Sequence, residues 1–113
     1  MGSDMLALYG SKLCHTHLND NFGVIDPALP PEQMPNHDLH LVMGDGSVDF
    51  DDVMRRIDAT PYKGLLCCEI KLKNVAGRQD HDRYRNMRIE EFYAYVLERA
   101  RTMRERGLHA KST

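Results

Sequence analysis

Leu65-Leu66-Cys67-Cys68-Glu69-Ile70 is the stretch whose reading decides the fold. An apolar run of strand length, opened by Gly64 and broken only by one carboxylate, predicts a strand buried on both faces, as in a parallel sheet. Upstream, residues 12–18 predict a second strand, with Leu13, His15 and His17 on one side and Cys14, Thr16 and Leu18 on the other. The segments around these two read as helices. Asp49 can cap a helix over residues 49–59 whose apolar positions Phe50, Val53, Met54 and Ile57 repeat at helical spacing, with Asp51 and Asp52 in its first turn and Thr60-Pro61 at its end. Ile89, Phe92, Tyr93, Val96, Ala100 and Met103 trace the buried stripe of a helix over residues 88–106, with a frayed tail expected after Gly107. Met5, Leu6, Leu8 and Tyr9 resemble the last turns of a helix closed by Gly10 in a positive-φ conformation. The order helix, strand, helix, strand, helix is the βα repeat of a parallel α/β architecture.

Between these elements lie two connections. Residues 20–48 carry glycines, Pro27, Pro30, Pro31 and Pro35, and several Asp and Asn residues, so they predict a long loop without secondary structure of its own. Loops of that length are more often functional than idle. Residues 71–85 form the other, where Arg78, Arg83 and Arg85 alternate with Asp80 and Asp82 and read as a solvated mixed-charge surface.

The chain is one domain by size, 113 residues, with 42% hydrophobic and 28% charged residues, enough apolar material for a packed core. A net charge of -2 supplies no basic field for a polyanion, which argues against nucleic acid as a partner. No apolar run approaches the roughly 20 residues of a membrane span. Three cysteines, with Cys67 and Cys68 adjacent, make no disulfide framework and fit a reducing compartment, so a cytoplasmic location is expected.

The chemistry-bearing residues sit at or beyond the predicted strand ends: His17 in His17-Leu18-Asn19-Asp20-Asn21, then Asp38 and His40 in Asp38-Leu39-His40, then Glu69. Imidazole and carboxylate suit a divalent ion, and strand ends are where an α/β barrel builds its active site. Glu69 within so apolar a run must meet a metal or a cation, or project into water, because an unpaired buried carboxylate is costly. A salt bridge to Lys71 or Lys73 is its plain structural alternative. His15 is expected deeper than His17, in a packed supporting role, and Asp20 is a candidate for orienting a ligand or a loop.

Taken in order with Gly44-Asp45-Gly46-Ser47-Val48-Asp49-Phe50, these motifs resemble the C-terminal portion of the xylose isomerase-like TIM-barrel superfamily, which includes sugar phosphate isomerases, epimerases and endonuclease IV. The resemblance implies that residues 1–113 are a partial domain, the last two βα units of an incomplete (β/α)8 barrel, since a complete one has roughly 250 residues. It implies that His17 and Glu69 are ligands of a divalent metal (Mn, Mg, Co or Zn), with Glu69 also the catalytic base, and that Gly44 and Gly46 form a turn rather than a phosphate site. The family's two other ligands would precede Met1. Asp38 and His40 match ligands of an additional zinc in endonuclease IV, although sugar isomerase-like relatives also keep an Asp-x-His there. Residues 77–84 resemble a segment of sugar isomerase-like members. The implied function is isomerisation or epimerisation of a sugar or sugar phosphate, as a fragment or subunit of the full barrel. Two alternatives stand beside it: an endonuclease IV-like abasic-site nuclease, or a non-catalytic truncated remnant. The isolated chain is expected to be inactive. Its exposed sheet edges imply a homo-oligomer or a complementing barrel chain.

Overall fold

The structure, a computed structural model, describes residues 5–23, 28–30, 32 and 38–112, with side chains described through Arg106. Pro27, Pro31 and Pro35 of the long loop therefore lie outside the described residues. In chain order the helices are α1 (Met5–Tyr9), α2 (Phe50–Asp58), the single turn α3 (Asp82–Arg85) and α4 (Ile89–Ser112), with a 3-10 turn at Gly10–Lys12 following α1.

Helix α2 forms as its sequence dictates. Asp49 takes an extended conformation and its carboxylate accepts the Asp52 amide at 3.1 Å, satisfying one of the free N–H groups of the first turn. Phe50, Met54 and Ile57 then fall on one buried face and pack with Met43 and with Met103 of α4. Full burial of a Met or Ile side chain stabilises by roughly 1.5–3 kcal/mol, so this apolar seam is what holds α2 on α4. Two ion pairs flank it, Arg104 to Asp58 at 2.5 Å and Arg106 to Asp51 at 2.6 Å.

Helix α4 runs to Ser112, so Gly107 does not end it. Its buried stripe is also rotated from the expected one: Ile89 and Tyr93 are exposed, whereas Tyr95 and Arg99 turn inward with Phe92, Val96, Ala100 and Met103. The cause is polar. Tyr95 and Arg99 both reach Asp45, and that cluster sets the rotation of the helix.

The two predicted strands are extended segments joined by one parallel bridge, Leu18 with Cys68, and among the described residues no longer ladder forms. Backbone hydrogen bonds mark the join, Leu18 N to Cys67 O at 2.7 Å and Glu69 N to Leu18 O at 2.9 Å. Toward the N-terminus of both segments a side chain replaces the ladder. The Thr16 hydroxyl donates to Leu65 O at 3.1 Å and accepts the Cys67 amide at 3.2 Å, so it spaces the backbones apart while satisfying both groups. Residues 65–70 are also not covered on both faces, as the apolar run suggested. Leu66, Cys68 and Ile70 pack toward the helices, but Leu65 is 84% exposed.

The long loop hides core, contrary to its reading as structureless. Leu39, Leu41, Val42 and Met43 are almost completely buried, and Leu41 pairs with Asp20 in an antiparallel bridge. Helix α3 likewise interrupts the second connection, held by the buried Tyr84 against Leu39, Leu41 and Val42. Gly10 differs in its reason for being glycine. It does not have positive φ; it is buried where a Cβ would come within 2.6 Å of the Thr60 methyl group.

Candidate metal centre

The parallel bridge positions the site. Leu18 and Cys68 face the core, so their neighbours along each segment, His17 on one and Cys67 and Glu69 on the other, share the opposite face. A third segment joins them when the Lys71 amide donates to His40 O at 3.0 Å. The result is a chain of contacts on an open face. His17 Nδ1 lies 2.5 Å from Glu69 Oε2, Glu69 Oε1 lies 3.3 Å from His40 Nε2, and His40 Nδ1 lies 3.0 Å from Asp38 Oδ1. The four residues singled out in the sequence are thus linked in one chain of contacts, although Asp38 and His40 lie in the long loop and Glu69 in the segment of residues 65–70.

Exposure grades across this group. The side chains of His17 and Glu69 are 55% and 45% exposed, whereas that of His40 is only 14% exposed. Asp38 approaches His40 Nδ1 without making a directional hydrogen bond, which leaves that buried nitrogen unsatisfied. His40 also has φ of +49°, the sole non-glycine residue with positive φ among the described residues. That conformation costs roughly 1–2 kcal/mol in an L-residue. Such strain persists where the surroundings over-determine it, and it clusters at functional sites. Here the His81 ring on Leu39 O before it, and the Lys71 amide on its own carbonyl and the Asp20–Leu41 bridge after it, hold the backbone on either side.

Glu69 does not take its plain alternative partner. Lys71 points instead to Asp38, with Nζ 3.8 Å from Oδ2. His15 is corrected too: it is exposed rather than packed, its ring edge-on to that of His17 with centroids 4.8 Å apart. His17, Glu69, His40 and Asp38 are linked pair by pair rather than gathered around one point, and imidazole and carboxylate donors of this kind suit zinc, manganese or cobalt better than magnesium. A cavity of about 430 Å³ between the start of α2 and the middle of α4 is lined by Asp49, Arg99 and Arg106, among others, and touches none of these residues. The donor chemistry lies on the open face of the bridged segments.

Two carboxylates with supporting roles frame the site. Asp20 is fully buried and accepts the amides of Asn21 at 2.8 Å, Gly44 at 2.8 Å, Gly46 at 2.9 Å and Val48 at 3.1 Å. It therefore orients the loop, and the glycine amides it engages make Gly44 and Gly46 turn formers. Gly44 has φ of +91°, and a Cβ on Gly46 would collide with the Asn21 carbonyl.

Asp45 was not apparent as anything but a turn residue. Its side chain is nearly buried and accepts Tyr84 Oη at 2.6 Å, Tyr95 Oη at 2.7 Å and Arg99 Nη1 at 3.1 Å, with Arg83 Nη1 at 3.2 Å. Tyr84 Oη in turn accepts the Val42 amide at 2.9 Å. Burial, and then the bond to Asp45, pushes both tyrosine hydroxyls above the ordinary phenol range. The aromatic spacing of Tyr84 and Tyr95 was the available signal, but the partner lies in a distant turn. His81 was also missed. Wholly buried, it donates Nε2–H to Leu39 O at 2.5 Å and so fixes the middle of the Asp38-Leu39-His40 stretch. Arg78 pairs with Asp80 at 2.6 Å, the mixed-charge contact expected, and holds the Asp80 carboxyl below its ordinary range.

The sequence model of the family described as xylose isomerase-like TIM barrel matches residues 2–90. The chain belongs to that family. A relative by sequence is an uncharacterized protein, y4fM, of Sinorhizobium fredii, 29% identical over 100 residues that cover 85% of this chain. The chain spans 28% of the length of that protein. No solved structure matches. All four residues of the contact chain, His17, Asp38, His40 and Glu69, fall within the stretch that the xylose isomerase-like family matches. Among the described residues, no helix is long and apolar enough to cross a membrane.

Proposed function

We propose that the chain supplies the final two βα units of a (β/α)8 barrel that isomerises or epimerises a sugar or sugar phosphate with a divalent metal. One observation carries the reading: His17, Glu69, His40 and Asp38, drawn from three separate segments, are joined by successive contacts in a member of the xylose isomerase-like family. The open side chains of His17 and Glu69 would hold the metal, whose contribution when bound is to polarise substrate oxygens beside the reacting carbon. Glu69 would take the proton from the carbon next to the carbonyl and return it on the neighbouring one, with His17 and His40 fixing its two oxygens beforehand. The buried turn pinned by Asp20 and Asp45 keeps the intervening segment in place. Further acidic ligands and the second proton-handling group would come from βα units outside these residues, in a partner or in a longer chain.

That dependence agrees with the surface. Leu65, Tyr93, Met5 and Leu8 are all more than half exposed, apolar area that further units or a second copy would cover. Their covering predicts association, read as a molecular weight above that of the monomer in sedimentation; a stable dilute monomer would count against it.

The catalytic reading is tested by hydrogen exchange from D2O into the carbon beside the carbonyl of aldose and ketose phosphates, on the assembled barrel loaded with manganese. Exchange in the parent and its loss with Glu69→Gln are expected. Absence of exchange on every sugar phosphate tried would defeat the reading. A second function is favoured by the contact of His40 with both Asp38 and Glu69, which brings the Asp-x-His stretch into the same group. In an endonuclease IV-like protein, Asp38→Asn with His40→Ala would remove an additional zinc and abasic-site cleavage; in an isomerase with one essential ion, the same pair would leave the core metal in place.

A further inference from the structure

The face that carries Glu69 carries a second set of donors. His15, His17 and Cys67 lie with one ligand atom of each within 4.8 Å of the others. Their placement follows from the bridge: His15 and His17 are two residues apart on one segment, and Cys67 is the neighbour of His17 on the other. His17 Nδ1 is engaged by Glu69 Oε2, so Nε2 is the nitrogen His17 has left for another partner. A carboxylate on the far nitrogen of a ligating imidazole is the arrangement that fixes its tautomer and raises its basicity. Cys67 is half-buried beside two imidazoles, whereas Cys68 faces the core, where burial and then the adjacent Cys67 push its thiol up.

The geometry points to a thiolate-bearing metal site formed by His15, His17 and Cys67, selective for a borderline cation of the zinc type, with Glu69 as the positioning residue behind His17. Three such donors with one open position make a four-coordinate zinc site, in which ligand atoms stand about 3.3–3.8 Å apart for bond lengths of roughly 2.0–2.3 Å. Small side-chain rotations of exposed residues close the remaining gap. Binding converts the Cys67 S–H into an S–metal bond and releases its proton to solvent, so affinity rises with pH. The donor set differs from that of the isomerase reading, which uses the carboxylate oxygens of Glu69 directly; the two share His17 and are mutually exclusive at it. A hard ion favours the oxygen set and a thiophilic ion the sulfur set.

The test is a Co2+ titration of the full chain followed by absorption. A thiolate-to-cobalt charge-transfer band that saturates at an equimolar ratio and is displaced by Zn2+ is expected. Cys67→Ser should abolish the band, His15→Ala should weaken binding by at least the roughly 10- to 100-fold that loss of a supporting residue costs, and Cys14→Ser should leave it unchanged. Glu69→Gln should keep the band but weaken binding by roughly 10- to 100-fold, because it removes the carboxylate that positions His17 and no donor to the metal, which separates this site from the isomerase reading. A band that survives Cys67→Ser, or one lost with Glu69→Gln but kept with His15→Ala, would overturn the assignment. In the unsubstituted chain, zinc should protect Cys67 from alkylation while Cys14 stays reactive; equal labelling of Cys67 with and without zinc would also overturn it.

Discussion

The Gly44–Val48 turn and the His17–Glu69 rim are both built around carboxylates, yet they do opposite things. In the turn, Asp20 and Asp45 are buried and each oxygen has donors: four backbone amides for one, two tyrosine hydroxyls and arginines for the other. At the rim, Glu69 is half exposed and its contacts are imidazoles, whose nitrogens serve equally well as metal donors. A fully satisfied buried carboxylate stabilises one arrangement of the backbone. A partly exposed one, with partners that can be exchanged for a cation, remains free to do chemistry. The same residue type thus divides into buried scaffold and exposed contact, the latter the proposed cation site, by burial and by the identity of its partners.

The largest effect is expected at the turn. Asp20→Ala strands four amide donors at a buried position, and hydrogen bonds to a charged group are individually worth about 1.5–3 kcal/mol, so a loss of about 4 kcal/mol or more is predicted by urea unfolding. A loss under about 1 kcal/mol would show that the turn holds without it. Next is Tyr84→Phe, which frees the Val42 amide and removes one donor from Asp45, for about 1–3 kcal/mol. The raised Tyr84 and Tyr95 hydroxyls add a pH signature. Unfolded tyrosine ionises near pH 10 while these two remain protonated in the folded chain, so stability should be level through neutrality and fall as pH rises past about 10. Tyr84→Phe should flatten that fall; an unchanged slope would contradict the burial of the hydroxyl. Smallest is the rim, where His17→Ala should change stability by no more than about 1 kcal/mol because both partners are exposed. A large loss there would make the rim part of the scaffold after all.

The same contrast explains what could be read from the chain. Helix α2 was legible because every signal is local: Asp49 as cap, acidic residues in the first turn, apolar residues at helical spacing. His17 and Glu69 were legible because each stands at the end of a short apolar run, and one bridge brings those ends together. The burial of residues 39–43 was masked by flanking glycines and prolines, and its cause lies in Tyr84 and His81, some forty residues on. The rotation of α4 toward Asp45 was invisible for the same reason, since a non-local polar cluster overrode the apolar count of Ile89 and Tyr93. Thr16 shows the limit of strand patterning: period-two geometry places its side chain, but not its insertion into the hydrogen bonding of the neighbouring segment.

If the rim carboxylate, unlike those of the turn, serves a cation, Mn2+ binding followed by electron paramagnetic resonance will report it. Manganese prefers oxygen and imidazole donors over thiolate, so it reports the Glu69 set rather than the sulfur-bearing one. The signal of free Mn2+ should fall on addition of the protein, Glu69→Gln and His17→Ala should each restore it, and Cys67→Ser should not. Manganese binding that is unchanged by both Glu69→Gln and His17→Ala would contradict it.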